Sequence, residues 1–219
     1  MTTLFIVAHP DDEAFGPAGT IARIADRGER VVVVSLCKGN RPGAEYVESS
    51  RVKAFRQSCA MLGAEWEMYS NSDVALDERE ATITIEQVIK KYQPNVVYTH
   101  NIGDLHRDHI IVATATIVAC RPTPTSPVDA LFMFEMPGTS EWTFGVTNHV
   151  FNPSMYVDVS DYMQQRHAAL ALYQTEMRPY PDARSAEAVD ILAKHRGKQV
   201  GFNYAEAFQQ VFSRVHKTL

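Results

Sequence analysis

His9, Asp11, Asp12 and Glu13 put one imidazole and three carboxylates within five residues, in the run Val7-Ala8-His9-Pro10-Asp11-Asp12-Glu13. Carboxylates this crowded repel one another unless a cation sits among them, and a bound divalent metal is the simplest such cation. Pro10 fixes a backbone dihedral and removes a donor, so the turn is stiff. A second polar cluster, His106-Arg107-Asp108-His109, lies about a hundred residues further on. His9 and Asp12 with His109 would supply two imidazoles and one carboxylate, the arrangement that holds catalytic zinc while leaving a position for water. The same ligands also hold iron in non-haem oxygenases. Water bound there would be acidified to near neutrality, and Asp11 is placed to take its proton. His106 could donate to the oxyanion that develops on a substrate carbonyl. Asp108 could orient an imidazole from behind. The plainer alternative is a polar turn at each strand end, with Asp108 capping the next helix. One shared site explains both clusters together.

The elements around the clusters give a reason for them to meet. Residues 4–8 read as a buried strand, followed by a helix over 17–28 with Pro17 in its first turn and Gly28 at its end. A second strand, read as fully buried, covers 31–37, a Gly- and Pro-containing loop 38–44, and a helix 45–62 closed by Gly63. A weaker strand is expected at 65–69, a helix at 80–92 broken by Pro94, a fourth strand at 95–99, and a helix at 108–120. Alternating strands and helices with near-continuous apolar strands predict a Rossmann-like α/β fold: a mostly parallel sheet with helices on both faces. In the common strand order the first and fourth strands are neighbours at the point where the winding reverses, and ligands bind beyond the carboxyl ends of strands there. Both clusters occupy those ends.

The second half is less regular: a Pro-rich loop over 121–127, a strand over 130–136, loops over 137–152, and a short strand over 155–159. Ser160 is expected to cap a helix running to about Glu176, and Ser185 another that Gly197 ends. No repeat or linker divides the chain, so a single domain over 1–219 is expected.

The chain has 219 residues, 45% hydrophobic and 21% charged, with a formal net charge of -5. That balance is ordinary for a globular domain and argues against a nucleic-acid partner. Cys37, Cys59 and Cys120 are few, odd in number and without metal-type spacing, which points to core thiols in a reducing compartment. The first apolar run is too short for a signal peptide or a membrane span, and no Lys or Arg precedes it, so a cytoplasmic location is expected.

Ala8-His9-Pro10-Asp11-Asp12-Glu13 together with Asp104-x-His106-x-Asp108-His109 resembles the signature of the LmbE-like (PIG-L-type) metal-dependent deacetylases. The likeness continues in Arg51, Leu62-Gly63, Pro94-Asn95-Val96-Val97, Arg196-Gly197 and Tyr204-Ala205-Glu206-Ala207-Phe208, and so spans most of the chain. The resemblance implies zinc on His9, Asp12 and His109, with Fe2+ or another divalent ion as alternatives. It also implies Asp11 as general base, His106 as oxyanion stabiliser, and Arg51 at the substrate mouth. The substrate it implies is a small molecule, an N-acetylglucosamine-type amino sugar or its conjugate. Proteins of this kind often form trimers or hexamers. Ala54 departs from the pattern, standing where many members carry an acidic residue.

Weaker candidates carry two readings each. Arg51 could contact substrate or pair with Glu48 on its own helix. Lys38 and Arg41 could meet a phosphate or sugar, or belong to a solvated loop. Gly16-x-x-Gly19 is a fragment of a nucleotide-binding turn, better read as packing glycines. Trp142, in the loops after Glu135, could stack on a sugar face or pack in the interior. His149, His167, His195 and His216 have no ligand-like spacing; His100 lies nearer the clusters. Two rival functions use the same residues: an iron oxygenase, and a sugar- or nucleotide-binding module without turnover.

Overall fold

A computed structural model describes residues 1–40, 50–146 and 149–215. Its centre is a seven-stranded sheet in the order β3-β2-β1-β4-β5-β7-β6. The strands are β1 (Thr2–Val7), β2 (Arg30–Cys37), β3 (Glu65–Asn71), β4 (Val96–His100), β5 (Ala130–Phe134), β6 (Met155–Asp158) and β7 (Ala205–Ser213). The helices are α1 (Asp12–Phe15), α2 (Ala18–Asp26), α3 (Ser50–Met61), α4 (Glu78–Tyr92), α5 (Arg107–Ala119), α6 (Met163–Ala171) and α7 (Ala186–Val200). The chain therefore has the expected α/β architecture with a mostly parallel sheet.

Side-chain alternation explains the layers, because successive residues of a strand face opposite ways. Phe5, Val7, Val31 and Val33 point to one face and pack with Ile21 of α2, Phe55 of α3 and Leu170 of α6. Leu4, Ile6, Val32 and Val34 point to the other and pack with Ile85 and Val88 of α4 and Val112 of α5. Burial on both faces is why β1 and β2 read as unbroken apolar runs. β1 pairs in parallel with β2 on one side and with β4 on the other, as Thr3↔Val96 through Phe5↔Tyr98. The expected adjacency of the first and fourth strands is thus observed, and it brings the two polar loops together.

Several local expectations are corrected. The stretch after β1 is not all loop: Asp12–Phe15 forms the short helix α1. Ser160 does not cap a long helix. Ser160–Tyr162 is a 3-10 turn, with Asp158 Oδ1 accepting from Ser160 N and Oγ at 3.0 and 2.6 Å, and α6 ends at Ala171. Ser185 does cap α7, its Oγ accepting from Ala188 N at 3.0 Å, but Gly197 lies inside that helix. A Cβ there would come 2.6 Å from Phe202 O, so Gly197 serves the close return of the chain, and Gly201 at φ +82° ends the helix. The strand β7, antiparallel to both β5 and β6, was not anticipated. Residues 45–49 of the helix expected over 45–62, Glu48 among them, lie outside the described residues, as do Arg41 and His216.

The late strand fixes the early turn. Glu206 on β7 accepts from Gly19 N at 2.8 Å and Thr20 N at 2.7 Å, satisfying the open N-terminus of α2, and pairs with the buried Arg166 at 3.1 Å. Gly16 and Gly19 are packing glycines: a Cβ on Gly19 would lie 2.7 Å from Val159 Cβ, and one on Gly16 would lie 2.9 Å from Asp12 O. Glu206→Ala leaves Arg166 as an uncompensated buried charge. It is expected to cost about 3–5 kcal/mol, read as a lower urea midpoint at unchanged slope.

Candidate metal centre and active site

The loop after β1 and the start of α5 line one pocket of about 210 Å³ with His9, Asp11, Asp12, His106 and His109. The histidines form a compact group: His9 and His106 meet edge to face at 4.7 Å between ring centres, His106 stacks on His109 at 4.6 Å, and His9 lies 5.4 Å from His109.

Each predicted ligand imidazole is held by its outer nitrogen. His9 Nε2 lies 2.9 Å from Asp108 Oδ2, and His109 Nδ1 lies 3.2 Å from Asp104 Oδ1. A carboxylate in that position takes the N–H and so leaves the other nitrogen with its lone pair turned inward. Those inner nitrogens converge on one side chain: His9 Nδ1 is 3.5 Å from Asp12 Oδ2, and His109 Nε2 is 3.4 Å from Asp12 Oδ1. Ligands about 2.0–2.1 Å from a tetrahedral ion stand about 3.4 Å apart. Asp12 thus stands at ligand-to-ligand distance from both imidazoles, as two ligands of one divalent ion do.

Three other groupings draw on these residues. Among the described residues, one ligand atom each from His9, His106 and His109, or from Asp12, His100 and His109, can be gathered within 4.8 Å; His9, Cys37 and Asp73 form a third such group. His100 is fully buried, stacked on His109 at 3.9 Å, with Nε2 3.1 Å from Asp12 Oδ2. That nitrogen accepts from Ala8 N at 3.0 Å, and Nδ1 has no partner. Its lone pair is already engaged, so His100 serves better as a wall behind Asp12 than as a ligand. Burial, reinforced by the charge of His109, pushes it down to about 4 and keeps it neutral.

The electrostatics call for positive charge at this point. Burial disfavours a charged His9, yet hydrogen bonds to Asp108 and Asp12 outweigh it and push its pKa up to about 10. Burial likewise opposes charge on His109, and Asp12 with Asp104 carries it up to about 9. Asp12 is held well below the usual carboxylate range: burial opposes ionisation, but His109 and His100 override it. Glu13 is a correction, since it does not share the cation. It points into the core, where burial outweighs its 2.5 Å hydrogen bond from Tyr173 and pushes it up to about 8.

His106 caps α5, its Nδ1 accepting from Asp108 N at 3.2 Å. With Nδ1 accepting, the proton sits on Nε2, which makes that nitrogen a donor. Burial and the neighbouring His109 and His9 lower its pKa, favouring the neutral ring. The alternative in which Asp108 caps the helix does not hold; its carboxylate takes His9 and Val74 N instead.

Asp11 sits at φ +154°, a backbone setting that L residues seldom adopt, and its carboxylate faces the pocket. Two arginines grip it: Arg184 Nη2 at 2.5 Å and Arg51 Nη2 at 3.2 Å. Arg51 also reaches Asp73 at 3.2 Å and Pro10 O at 3.2 Å, so it pairs across the pocket rather than being bound only along its own helix. Ala54, the departure from the family pattern, is buried in the core. Trp142 lines the pocket and is 44% exposed, so it is not interior packing. Glu135 is paired with Arg196, and His167 with Asp190, away from the centre.

Sequence reasoning missed Arg184, Glu176 and Asp73, which line the pocket, and gave no role to Asp104. Only Asp104 had a local signal, its place two residues before His106. Its other oxygen accepts from Ser140 Oγ at 2.7 Å and Thr139 Oγ1 at 3.0 Å, so it is itself held. Asp104→Ala is expected to lower metal affinity about 10–100-fold, measured by competition with a chromophoric chelator.

A mostly parallel α/β sheet with two imidazoles turned towards one carboxylate at its switch point, and a second, arginine-held carboxylate in the same pocket, has the donor set of a hydrolytic metal centre. The sequence model of PIG-L, GlcNAc-PI de-N-acetylase, matches residues 4–120, and the chain belongs to that family. It is 29% identical over 144 residues to an uncharacterized deacetylase, YaiS, of Escherichia coli K12, covering 62% of this chain and 74% of that one. It is also 29% identical over 163 residues to a 1D-myo-inositol 2-acetamido-2-deoxy-alpha-D-glucopyranoside deacetylase of Saccharopolyspora erythraea, covering 55% of this chain and 54% of that one. Relatives of this chain are thus deacetylases, though the match takes in only about half the length of the second. The crystal structure of GalB, the 4-carboxy-2-hydroxymuconate hydratase of Pseudomonas putida KT2440, superimposes with a TM-score of 0.77 at 22% identity over 100% of this chain and 99% of that one. The fold therefore serves more than one reaction, and the assignment must rest on the site.

Proposed function

We propose that the whole chain, residues 1–219, acts as one divalent-metal-dependent deacetylase, with zinc as the resident ion, acting on an N-acetylated amino sugar or its conjugate. The observation that carries this is the back-braced pair His9 and His109 converging on Asp12, with Asp11 in the same pocket. His9, Asp12 and His109 would hold the ion, which when bound polarises a carbonyl and acidifies water. Asp11 accepts the proton of the attacking water and returns it to the departing amine. His106 Nε2–H donates to the oxyanion that forms on the amide carbonyl. Asp108 and Asp104 keep the two imidazoles turned inward. Arg184 and Arg51 hold the Asp11 carboxylate in place, and Arg51 with Glu176 offers polar atoms to sugar hydroxyls at the mouth.

Membership of a deacetylase family favours amide hydrolysis over an oxygenase on the same ligands or a module without turnover. Among the described residues no helix is long and apolar enough to cross a membrane. We place the protein in the cytoplasm, acting on a small molecule.

The test is acetate release from a panel of N-acetylated sugars and sugar conjugates. Chelation is expected to abolish release, and one equivalent of zinc per chain to restore it, with Fe2+ and Co2+ compared alongside. No acetate from any substrate with the ion bound would overturn the assignment.

A further inference from the structure

A second, larger groove of about 630 Å³ adjoins the metal pocket, and the two share Pro137 and Trp142 as lining. Beside Glu135, Glu141, Asp182, His195 and Arg196, its lining includes side chains that a globular surface normally hides: Trp142 is 44% exposed, Tyr180 55% and Ile191 48%. Scattered apolar residues on a surface need no explanation, but several converging on one concavity beside a reaction centre do. The charged pair at its wall, Glu135 and Arg196, is closed on itself through two hydrogen bonds at 2.6 and 2.5 Å.

The groove is built rather than incidental. Trp142 N donates to Gly138 O at 2.7 Å, and Gly138 N donates to Glu141 Oε2 at 2.9 Å, which closes the turn carrying the indole. Gly138, at φ +83°, has no Cβ; one there would lie 3.1 Å from Trp142 Cζ2 and 3.1 Å from Ala183 Cβ. The missing side chain lets the indole and the 180–183 segment close on the same backbone. That segment leads directly into Arg184, which grips Asp11.

We propose that this groove binds an apolar substituent carried by the amino sugar, so that the substrate is a glycoside with a hydrophobic aglycone rather than a free sugar. The inference rests on the deacetylase reading for its orientation. Asp11 protonates the departing amine, the amine belongs to the sugar, and the sugar therefore lies on the Arg184 side, from which residues 180–183 continue into the groove. The acyl carbon lies on the opposite side, towards His106. Glu135 is closed on Arg196, Glu141 accepts from Gly138 N and Asp182 accepts from Arg184 N, so the aromatic and aliphatic side chains are the surface left for an alkyl or aryl group, while the carboxylates disfavour a phosphate.

The experiment uses the full chain with Trp66→Phe, which leaves Trp142 as the only tryptophan. Hexyl and phenyl glycosides of N-acetylglucosamine, free N-acetylglucosamine and N-hexanoylglucosamine are titrated by fluorescence and by calorimetry. The hexyl and phenyl glycosides are expected to bind at least about tenfold more tightly than the free sugar and to shift Trp142 emission. Ile191→Asp, at a half-exposed position that tolerates the change, brings that ratio down to about one, and Trp142→Ala does the same by calorimetry. Equal affinity for glycosides and free sugar overturns the proposal. A gain seen only with the N-hexanoyl sugar also overturns it, placing the acyl chain in the groove. So does a Trp142→Glu variant that changes the assembly state while glycosides bind no better than the free sugar, which makes the groove a contact between copies. A glycoside preference without acetate release from any sugar overturns the deacetylase reading and leaves the groove assignment standing.

Discussion

Asp11→Asn is expected to lower kcat about 10²–10⁴-fold while leaving bound metal near one per chain. Asparagine keeps the shape and can neither accept the proton of water nor return it to the amine, and a positioned general base contributes about that factor. The loss corresponds to about 2.7–5.5 kcal/mol of transition-state stabilisation. It falls on kcat rather than KM because the interaction is made as the reaction proceeds. The control for structure is the thermal midpoint, since Arg184 and Arg51 both lose a charged partner in this variant. Wild-type turnover in Asp11→Asn with normal metal content would remove Asp11 from the chemistry. A variant that loses its metal would instead place Asp11 among the groups that hold the ion.

His109→Ala is expected to have the largest effect: no measurable metal retention and acetate release at background. His109 presents its inner nitrogen to Asp12 and has its outer nitrogen fixed by Asp104, so its removal strips one of three ligands and leaves two carboxylates facing each other. A ligand at 1,000 times its Kd stabilises the folded state by about 4 kcal/mol. Titrating zinc into the wild type should therefore raise the thermal midpoint, and the same titration should leave His109→Ala where it was. His9→Ala should behave in the same way. His100→Asn separates the predicted ligand set from the grouping of Asp12, His100 and His109. If the ion sits on His9, Asp12 and His109, this variant keeps most of its metal affinity. If His100→Asn loses the ion and His9→Ala keeps it, the ion belongs with Asp12, His100 and His109 instead.

The parts of the molecule legible in its sequence are those governed by short-range patterns. β1, β2 and β4 are near-continuous apolar runs because both faces of a parallel sheet are covered, and that signal needs no knowledge of partners. From those strands the switch point followed, and with it the meeting of His9 and Asp12 with His106 and His109. The α7 start showed only in Ser185, because Ala188 stands where a capping box would carry Glu or Gln. The errors came where a local signal was read without its tertiary setting. Gly197 resembles a helix stop but is a point of close approach to residues 202–203. Ser160 resembles a cap, but Asp158 is the acceptor and the chain turns. β7 lacks a clean alternation because its first half is buried and its second half is not.

His9, Asp11, Asp12, His106, Asp108 and His109 could be picked out as one group from the sequence alone, because residue type and spacing place them at the ends of two strands that the fold makes neighbours. Only the tertiary structure decided how they are braced. It set Asp104 behind His109 and Asp108 behind His9, sent Glu13 into the core, and brought Arg184 from 173 positions away to grip Asp11. It also laid the Trp142 turn against residues 180–183. The reason is physical: ligand identity is a property of side-chain chemistry and local order, whereas orientation and pocket shape come from contacts between segments whose spacing along the chain carries no periodic signal.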